Sequence, residues 1–364
     1  MSHSERTLLG PGPSNPYPEV QEAAARPLLG HLDPEFLQVL DSVTEGLRAV
    51  FGTSNTLTFP VSGTGSAGME AAFVNVTAPE DVVVVGVNGL FGERMCDVAG
   101  RCGATVVRVE APWGTPLDPE AVLRAHPAPS VIAVVHAETS TGVRNDVAAI
   151  AAGKGDALLL ADCVTSLGGT PVALDAWGVD LAYSATQKCL GVPPGLAPFS
   201  ASERAEAALL ARPRSWYLDL QQIRRYVVGE GARAYHHTAP TAMIVMLDAA
   251  LRRIREEGLD EVWRRHEECG RSLQDGLEAM GLTLFAQQGH RLPQLTSVWV
   301  PEARLPDGLD EAAVRRLLLD RFGVEIGGGV GPFAGRVWRI GCMGHAARPR
   351  TVALLLAALE EVLT

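Results

Sequence analysis

Short apolar runs alternate with amphipathic segments along this chain. The runs read Asn55–Val61, Asp81–Val87, Ala104–Val109, Ser130–His136, Ala157–Ala161, Asp180–Ala185 and Leu196–Ser200. Such near-continuous Val/Ile/Leu runs suit strands covered on both faces. The alternation predicts an α/β fold with a mostly parallel, seven-stranded sheet flanked by helices. Apolar residues recurring at three and four positions predict helices over Ser66–Val76 and Thr241–Glu256. Beyond about Gly258 the pattern changes. A polar helix (Asp260–Met280) precedes a strand (Leu295–Val300) and a second helix (Asp310–Phe322). A glycine-rich segment, a strand (Arg336–Gly341) and a last helix (Pro349–Leu363) follow. The expected organisation is an extended segment at 1–18, a large domain at 19–257 and a smaller C-terminal α+β domain at 258–364. The first segment contains Leu9-Gly-Pro-Gly-Pro-Ser-Asn-Pro16, which cannot be helical.

Charge removes several function classes. The chain carries 42 acidic and 31 basic residues, a formal charge of −11. Without a basic run it is poorly suited to grip nucleic acid or an anionic membrane face. No stretch reaches about 18 apolar residues, and the start has no apolar core of signal-peptide length. Cys96, Cys102, Cys163, Cys189, Cys269 and Cys342 contain no Cys-x-x-Cys pair. They read as reduced thiols of a cytoplasmic protein and not as a zinc site. Adjacent His236 and His237 are expected to point to opposite faces of an extended segment, which argues against a metal there. Of the 31 basic residues only Lys154 and Lys188 are lysines. Chemistry that needs an amine has two possible addresses.

Gly63-Thr-Gly65-Ser-Ala-Gly68 lies between a predicted strand and a predicted helix. It spells G-x-G-x-x-G, but the dinucleotide reading wants an acid at the end of the next strand, and that strand ends in Asn88-Gly89. What survives is a glycine-rich turn opening a helix. It either offers bare N–H groups to a phosphate or is a tight turn with no ligand.

A second constellation lies at the ends of two predicted strands. Ala157-Leu-Leu-Leu-Ala-Asp162 finishes on a carboxylate, and Asp180-Leu-Ala-Tyr-Ser-Ala-Thr-Gln-Lys188 on a lysine. Ligands of open α/β sheets sit at the carboxyl ends of strands, so both side chains should share one crevice. They could form a plain ion pair. A lysine after an apolar strand is also suited to Schiff-base chemistry, because burial lowers its pKa. Lys154, in Gly153-Lys-Gly155-Asp, reads as a solvated turn residue. Together the parts describe a pyridoxal phosphate (PLP) site, with a lysine for the imine, a carboxylate for the ring nitrogen and a helix N-terminus for the phosphate. Phe91 could cover the ring, or could simply be core.

At this point the sequence resembles the class V aminotransferases of PLP fold type I, and more narrowly the alanine–glyoxylate / serine–pyruvate aminotransferase group. The resemblance runs nearly end to end. It includes Gly10-Pro-Gly-Pro-Ser14, Gly63–Glu70, Glu138-Thr-Ser-Thr-Gly142, Asp162–Pro171, Tyr183–Lys188, Tyr235-His-His-Thr238 and Arg339-Ile-Gly341. It implies that Lys188 bonds the cofactor and carries protons, and that Asp162 pairs with the pyridinium nitrogen. It also implies that Thr139 bonds the ring hydroxyl, that Phe91 and Val164 sandwich the ring, and that Thr64, Gly65, Ser66 and Gln187 hold the phosphate. Tyr235 and Thr238 would reach that phosphate across a homodimer interface, and Arg339 would clamp the substrate carboxylate. Two positions depart from the group: Phe91 often stands as Trp, and Ser66 as His.

The resulting expectation is ping-pong transfer of an amino group from L-alanine or L-serine to glyoxylate or pyruvate. Three other readings stand beside it. One is a PLP lyase. Another is a cysteine desulfurase, for which Cys342 is the nearest nucleophile. The third is a PLP-binding protein that does not turn over, which would have no need of Arg339.

Overall fold

The computed structural model describes residues 5–228 and 233–364. Its main sheet has seven strands: β1 (Leu57–Ser62), β2 (Val82–Val87), β3 (Thr105–Glu110), β4 (Val131–Val135), β5 (Leu158–Asp162), β6 (Leu181–Tyr183) and β7 (Leu196–Ala201). Their order is β1-β7-β6-β5-β4-β2-β3. Neighbours run parallel except at β7, which is antiparallel to both β1 and β6. Strands β4, β5 and β7 are buried at every position. The edge strand β3 alternates between exposed and half-buried residues. Continuous apolar runs therefore lie where helices cover both faces, and the polar alternation lies at the rim.

Helices α1 (Pro34–Phe51), α2 (Gly65–Val76), α3 (Leu90–Arg101) and α4 (Thr241–Glu257) belong to this part of the chain. α2 lies against β6 and β7, and α1 packs on α4. Asp33 caps α1 by accepting from Glu35 N–H at 2.8 Å, and Gly52 ends it in the left-handed conformation.

A second core gathers Leu273, Val298, Leu318, Trp338, Ile340 and Leu355. It is built from α5 (Leu259–Ala279), β8 (Leu295–Trp299), α6 (Glu311–Phe322), β9 (Gly327–Gly328), β10 (Val337–Gly341) and α7 (Pro349–Leu363). The three strands form an antiparallel sheet in the order β8-β10-β9.

The N-terminal segment runs extended, as its prolines require. Thr7–Leu8 pairs in parallel with Val324–Glu325, and Leu9 is buried in the second core. Ser14 N–H then donates to Gln187 O at 2.9 Å. The segment thus crosses from the second core to the loop after β6. Residues 1–4 lie outside the described residues. Among those described, no helix is long and apolar enough to cross a membrane.

One expectation is corrected here. Lys154 is not a solvated turn residue: its ammonium is paired with Asp180 and also donates to Gly178 O. Asp180 opens the approach to β6, is buried, and accepts from Leu159 N–H at 2.8 Å. A buried carboxylate needs a cation or donors to offset its lost hydration, and Lys154 and Arg204 fold onto it.

Candidate active site

Strands β5 and β6 end side by side, and their register sets Asp162 opposite Tyr183. Asp162 is 1% exposed. Its Oδ2 accepts from Tyr183 Oη at 2.7 Å and its Oδ1 from Val164 N–H at 2.8 Å. Burial pushes its pKa up to about 7, against the pull of these two bonds, while nearby Glu138 adds to the rise. Burial, reinforced by Asp162, also raises the Tyr183 phenol well above its ordinary value, so it stays a donor.

Five residues beyond Tyr183, Lys188 is 8% exposed. Burial lowers its pKa to about 8; the Arg339 charge also lowers it, and Cys189 and Asp162 oppose the shift. Its ammonium donates to Pro11 O. Gly12 lies over the same amine: a Cβ there would come 2.5 Å from Nζ, and the φ of +113° suits glycine alone. The N-terminal segment is therefore a wall of the site. The reading of the sequence assigned it no role, although Gly-Pro-Gly-Pro carried a signal, since it excludes a helix and permits close approach.

The helix start at α2 supplies another wall. Gly63 has φ +135°, turning the chain from β1 into the helix. A Cβ on Gly65 would meet Val164 Cγ2 at 3.0 Å and Ala185 Cβ at 3.1 Å. Thr64 makes no side-chain cap, which leaves first-turn N–H groups open to an anion. Thr64, Gly65, Ser66 and Gln187 line an open cleft together with Phe91, Val164, Asp162 and Lys188. The Gln187 amide leaves its buried Oε1 without a partner among the described residues.

Arg94 also lines this cleft, and the sequence reading missed it. It projects from α3, where only its place one turn after Phe91 hinted at a role. Ser66 Oγ accepts from its Nη1 at 3.2 Å.

Arg339 comes from β10 in the second core. Its Nε donates to Gly328 O at 2.8 Å and its Nη1 to Thr139 O at 3.4 Å. Burial lowers its pKa and the charge of Glu138 raises it. No carboxylate pairs with it among the described residues, so part of its fork is open. Glu138 was not singled out beforehand either. It is wholly buried and accepts from Ser140 N–H at 3.0 Å and from Phe91 N–H at 3.2 Å, anchoring the start of α3.

Tyr235 and Thr238 are not brought to this cleft within one chain. Their hydroxyls face each other at 3.3 Å, Tyr235 is 58% exposed, and Thr238 lines a separate pocket beside Leu28 and His31. His236 and His237 do not point apart as expected, because their segment is irregular and not a strand. Their Nδ1 atoms lie 2.7 Å from each other. No group of three His, Cys, Asp or Glu able to hold a metal occurs among the described residues. Cys342 is buried in the second core, with Sγ 3.7 Å from Ala346 O.

The cleft fits PLP by its chemistry: a depressed lysine, a buried carboxylate with fixed donors, two apolar walls and an uncapped helix start. Residues 16–330 match the family described as aminotransferase class-V. The chain is 39% identical to alanine–glyoxylate aminotransferase of Drosophila melanogaster, covering 98% of itself and 92% of that protein. It is 38% identical to (S)-ureidoglycine–glyoxylate transaminase of Bacillus subtilis, covering 98% and 90%. The solved structure of alanine–glyoxylate aminotransferase from Nostoc sp. superposes with a TM-score of 0.94 at 46% identity, over 100% of this chain and 97% of that one.

Proposed function

The chain belongs to the class V aminotransferases, and on that premise we propose that it moves the amino group of L-alanine or L-serine to glyoxylate or pyruvate with a resident PLP. The observation that carries this reading is that Lys188 and Asp162, from the ends of two neighbouring strands, line one cleft, with Arg339 near enough to act on the amine. The charges of Asp162 and Arg339 both act on that amine. PLP, when bound, supplies the electron sink for the substrate's α-carbon.

The side chains divide the remaining work. Asp162, held by Tyr183 and the Val164 N–H, would keep the ring nitrogen of a bound PLP protonated. Lys188 would hold the cofactor covalently, and its neutral amine would serve as the base that carries the substrate's α-proton. A pKa near 8 leaves a usable neutral fraction at physiological pH. Arg339 grips the substrate carboxylate as a planar fork. Thr64, Gly65, Ser66 and Gln187 would hold the phosphate, Phe91 and Val164 would cover the ring, and Thr139 would bond the ring hydroxyl. Tyr235 and Thr238 would complete the phosphate end of a second chain's cleft in a homodimer. Six free, buried cysteines support a reducing, cytoplasmic setting.

Glyoxylate is the favoured acceptor, because the names of the three similar proteins given above share it while their donors differ. A desulfurase reading is disfavoured by the burial of Cys342 away from the cleft. A silent PLP binder is disfavoured by the open fork of Arg339. The deciding experiment is a donor panel of L-alanine, L-serine and (S)-ureidoglycine against glyoxylate and pyruvate. L-alanine or L-serine should convert the cofactor to its amino form and glyoxylate should reverse it. Failure of both donors refutes the substrate assignment.

A further inference from the structure

A phosphate ester brought into this cleft meets a shortage of positive charge. The donors at its end, from Thr64, Ser66 and Gln187, are neutral. The two cations that line the cleft are Lys188 and Arg94. Lys188 is committed to the aldehyde carbon when it condenses, so it is not available as the counter-charge of the phosphate. Burying a phosphate dianion against neutral donors alone is costly.

Arg94 is free to supply that charge. Its neighbour Glu93 is already paired with Arg108, and no carboxylate pairs with Arg94 among the described residues. Its Nη1 donates to Ser66 Oγ at 3.2 Å, in the first turn of α2, where the uncapped N–H groups lie. Its guanidinium carbon sits 5.0 Å above the centre of the Phe91 ring. Stacking on an aromatic face and a hydroxyl contact together hold the fork at the phosphate end before any ligand arrives.

We propose that Arg94 is the resident cation of the cofactor's phosphate site, reaching it over Phe91 and sharing it with Ser66. This rests on the PLP reading above and adds a residue which that reading does not use. The geometry requires that the contribution of Arg94 depend on the phosphate and not on the ring.

The test is cofactor binding to apoenzyme, with no turnover involved. Wild type, Arg94→Gln and Arg94→Lys are titrated with PLP and with pyridoxal, which lacks the phosphate. The readouts are the visible absorption of the lysine-bound cofactor and quenching of protein fluorescence. Arg94→Gln should weaken PLP by about 10- to 100-fold, the loss of a charge-assisted bond, and change pyridoxal by less than about twofold. Arg94→Lys should recover part of the loss, because a point charge keeps the attraction but not the fork. Inorganic phosphate should compete with PLP less well in Arg94→Gln than in wild type. Equal losses for PLP and pyridoxal would mean that Arg94 only supports Phe91, and would overturn the proposal. Unchanged PLP binding would also overturn it. If wild-type apoenzyme takes up PLP but transfers no amino group, the substrate assignment falls while the Arg94 result stands.

Discussion

Tyr183 Oη donates to Asp162 Oδ2 at 2.7 Å, and the two residues are paired across neighbouring strands. The bond stabilises the ionised carboxylate and works against the burial that lifts Asp162 to about 7. Tyr183→Phe removes it. Asp162 becomes the more basic partner, and a proton shared with the ring nitrogen moves toward the carboxylate. We expect kcat to fall about tenfold, the worth of one hydrogen bond to a charged group, with KM nearly unchanged. NMR of an isotope-labelled ring nitrogen should show the lost protonation. Unaltered kcat and an unaltered nitrogen signal would dismiss Tyr183 as a positioning residue.

Arg339 is held by Gly328 O and Thr139 O through two of its nitrogens, and the rest of the fork is unpaired. Arg339→Ala should raise the KM for the amino acid by about a hundredfold, equivalent to roughly 3 kcal/mol for a bidentate charged pair. Cofactor affinity, measured by titration of the apoenzyme, should move by less than about threefold. Arg339→Lys should recover little, because an ammonium cannot present two parallel donors. Comparable losses of substrate and cofactor would remove Arg339 from its assigned role.

The sheet was legible because its central strands are covered on both faces and had to be written in Val, Ile and Leu. Asp162 and Lys188 stood out for the complementary reason: each is an ionisable group at the end of such a run. Other parts of the site gave no such contrast. Glu138 sits in a Thr/Ser-rich segment that looks like a surface turn, and its burial depends on α3 closing over it. Arg94 is exposed on its helix, and only the cleft beside it sets it apart from an ordinary surface arginine. Pro11 and Gly12 belong to a segment without periodicity, placed by strand pairing with Val324–Glu325, more than 300 residues away. Lys154 was misread because its partner, Asp180, opens a different strand. Contacts set by distant packing leave little local pattern.

The glycines of the helix start differ in what they permit. A Cβ on Gly68 would lie 2.9 Å from Tyr183 Cβ and 3.1 Å from Ala197 Cβ, both fixed in the sheet. Gly68→Ala should destabilise by about 1–3 kcal/mol, the usual cost of overpacking, and should weaken cofactor binding by shifting α2. Gly100, near the end of α3, has nothing within 4 Å of its would-be Cβ. Gly100→Ala should stabilise by about 0.5–1 kcal/mol through helix propensity. Chemical denaturation of both variants checks the pair. Equal and small effects would show that α2 does not need its close approach.

Burial lowers Lys188 to about 8 from an ordinary value of 10.5, and both cofactor uptake and apoenzyme stability should rise with pH as a result. The neutral amine is the reactive form. The rate at which apoenzyme takes up PLP should therefore rise with pH through a midpoint near 8 and then level off. Stability moves by linkage. Between about 8 and 10.5 the unfolded chain holds this proton and the fold does not. Burial of Lys188 thus costs stability in full below pH 8, and the cost fades as pH rises to the unfolded value. The largest size is about 3 kcal/mol, from 1.36 kcal/mol per pKa unit. Lys188→Met apoenzyme should be more stable than wild type near pH 7, with the gain shrinking toward pH 10. An uptake midpoint near 10.5, with no pH-dependent stability difference, would show that the amine is hydrated and not held in the low-dielectric cleft that its chemistry requires.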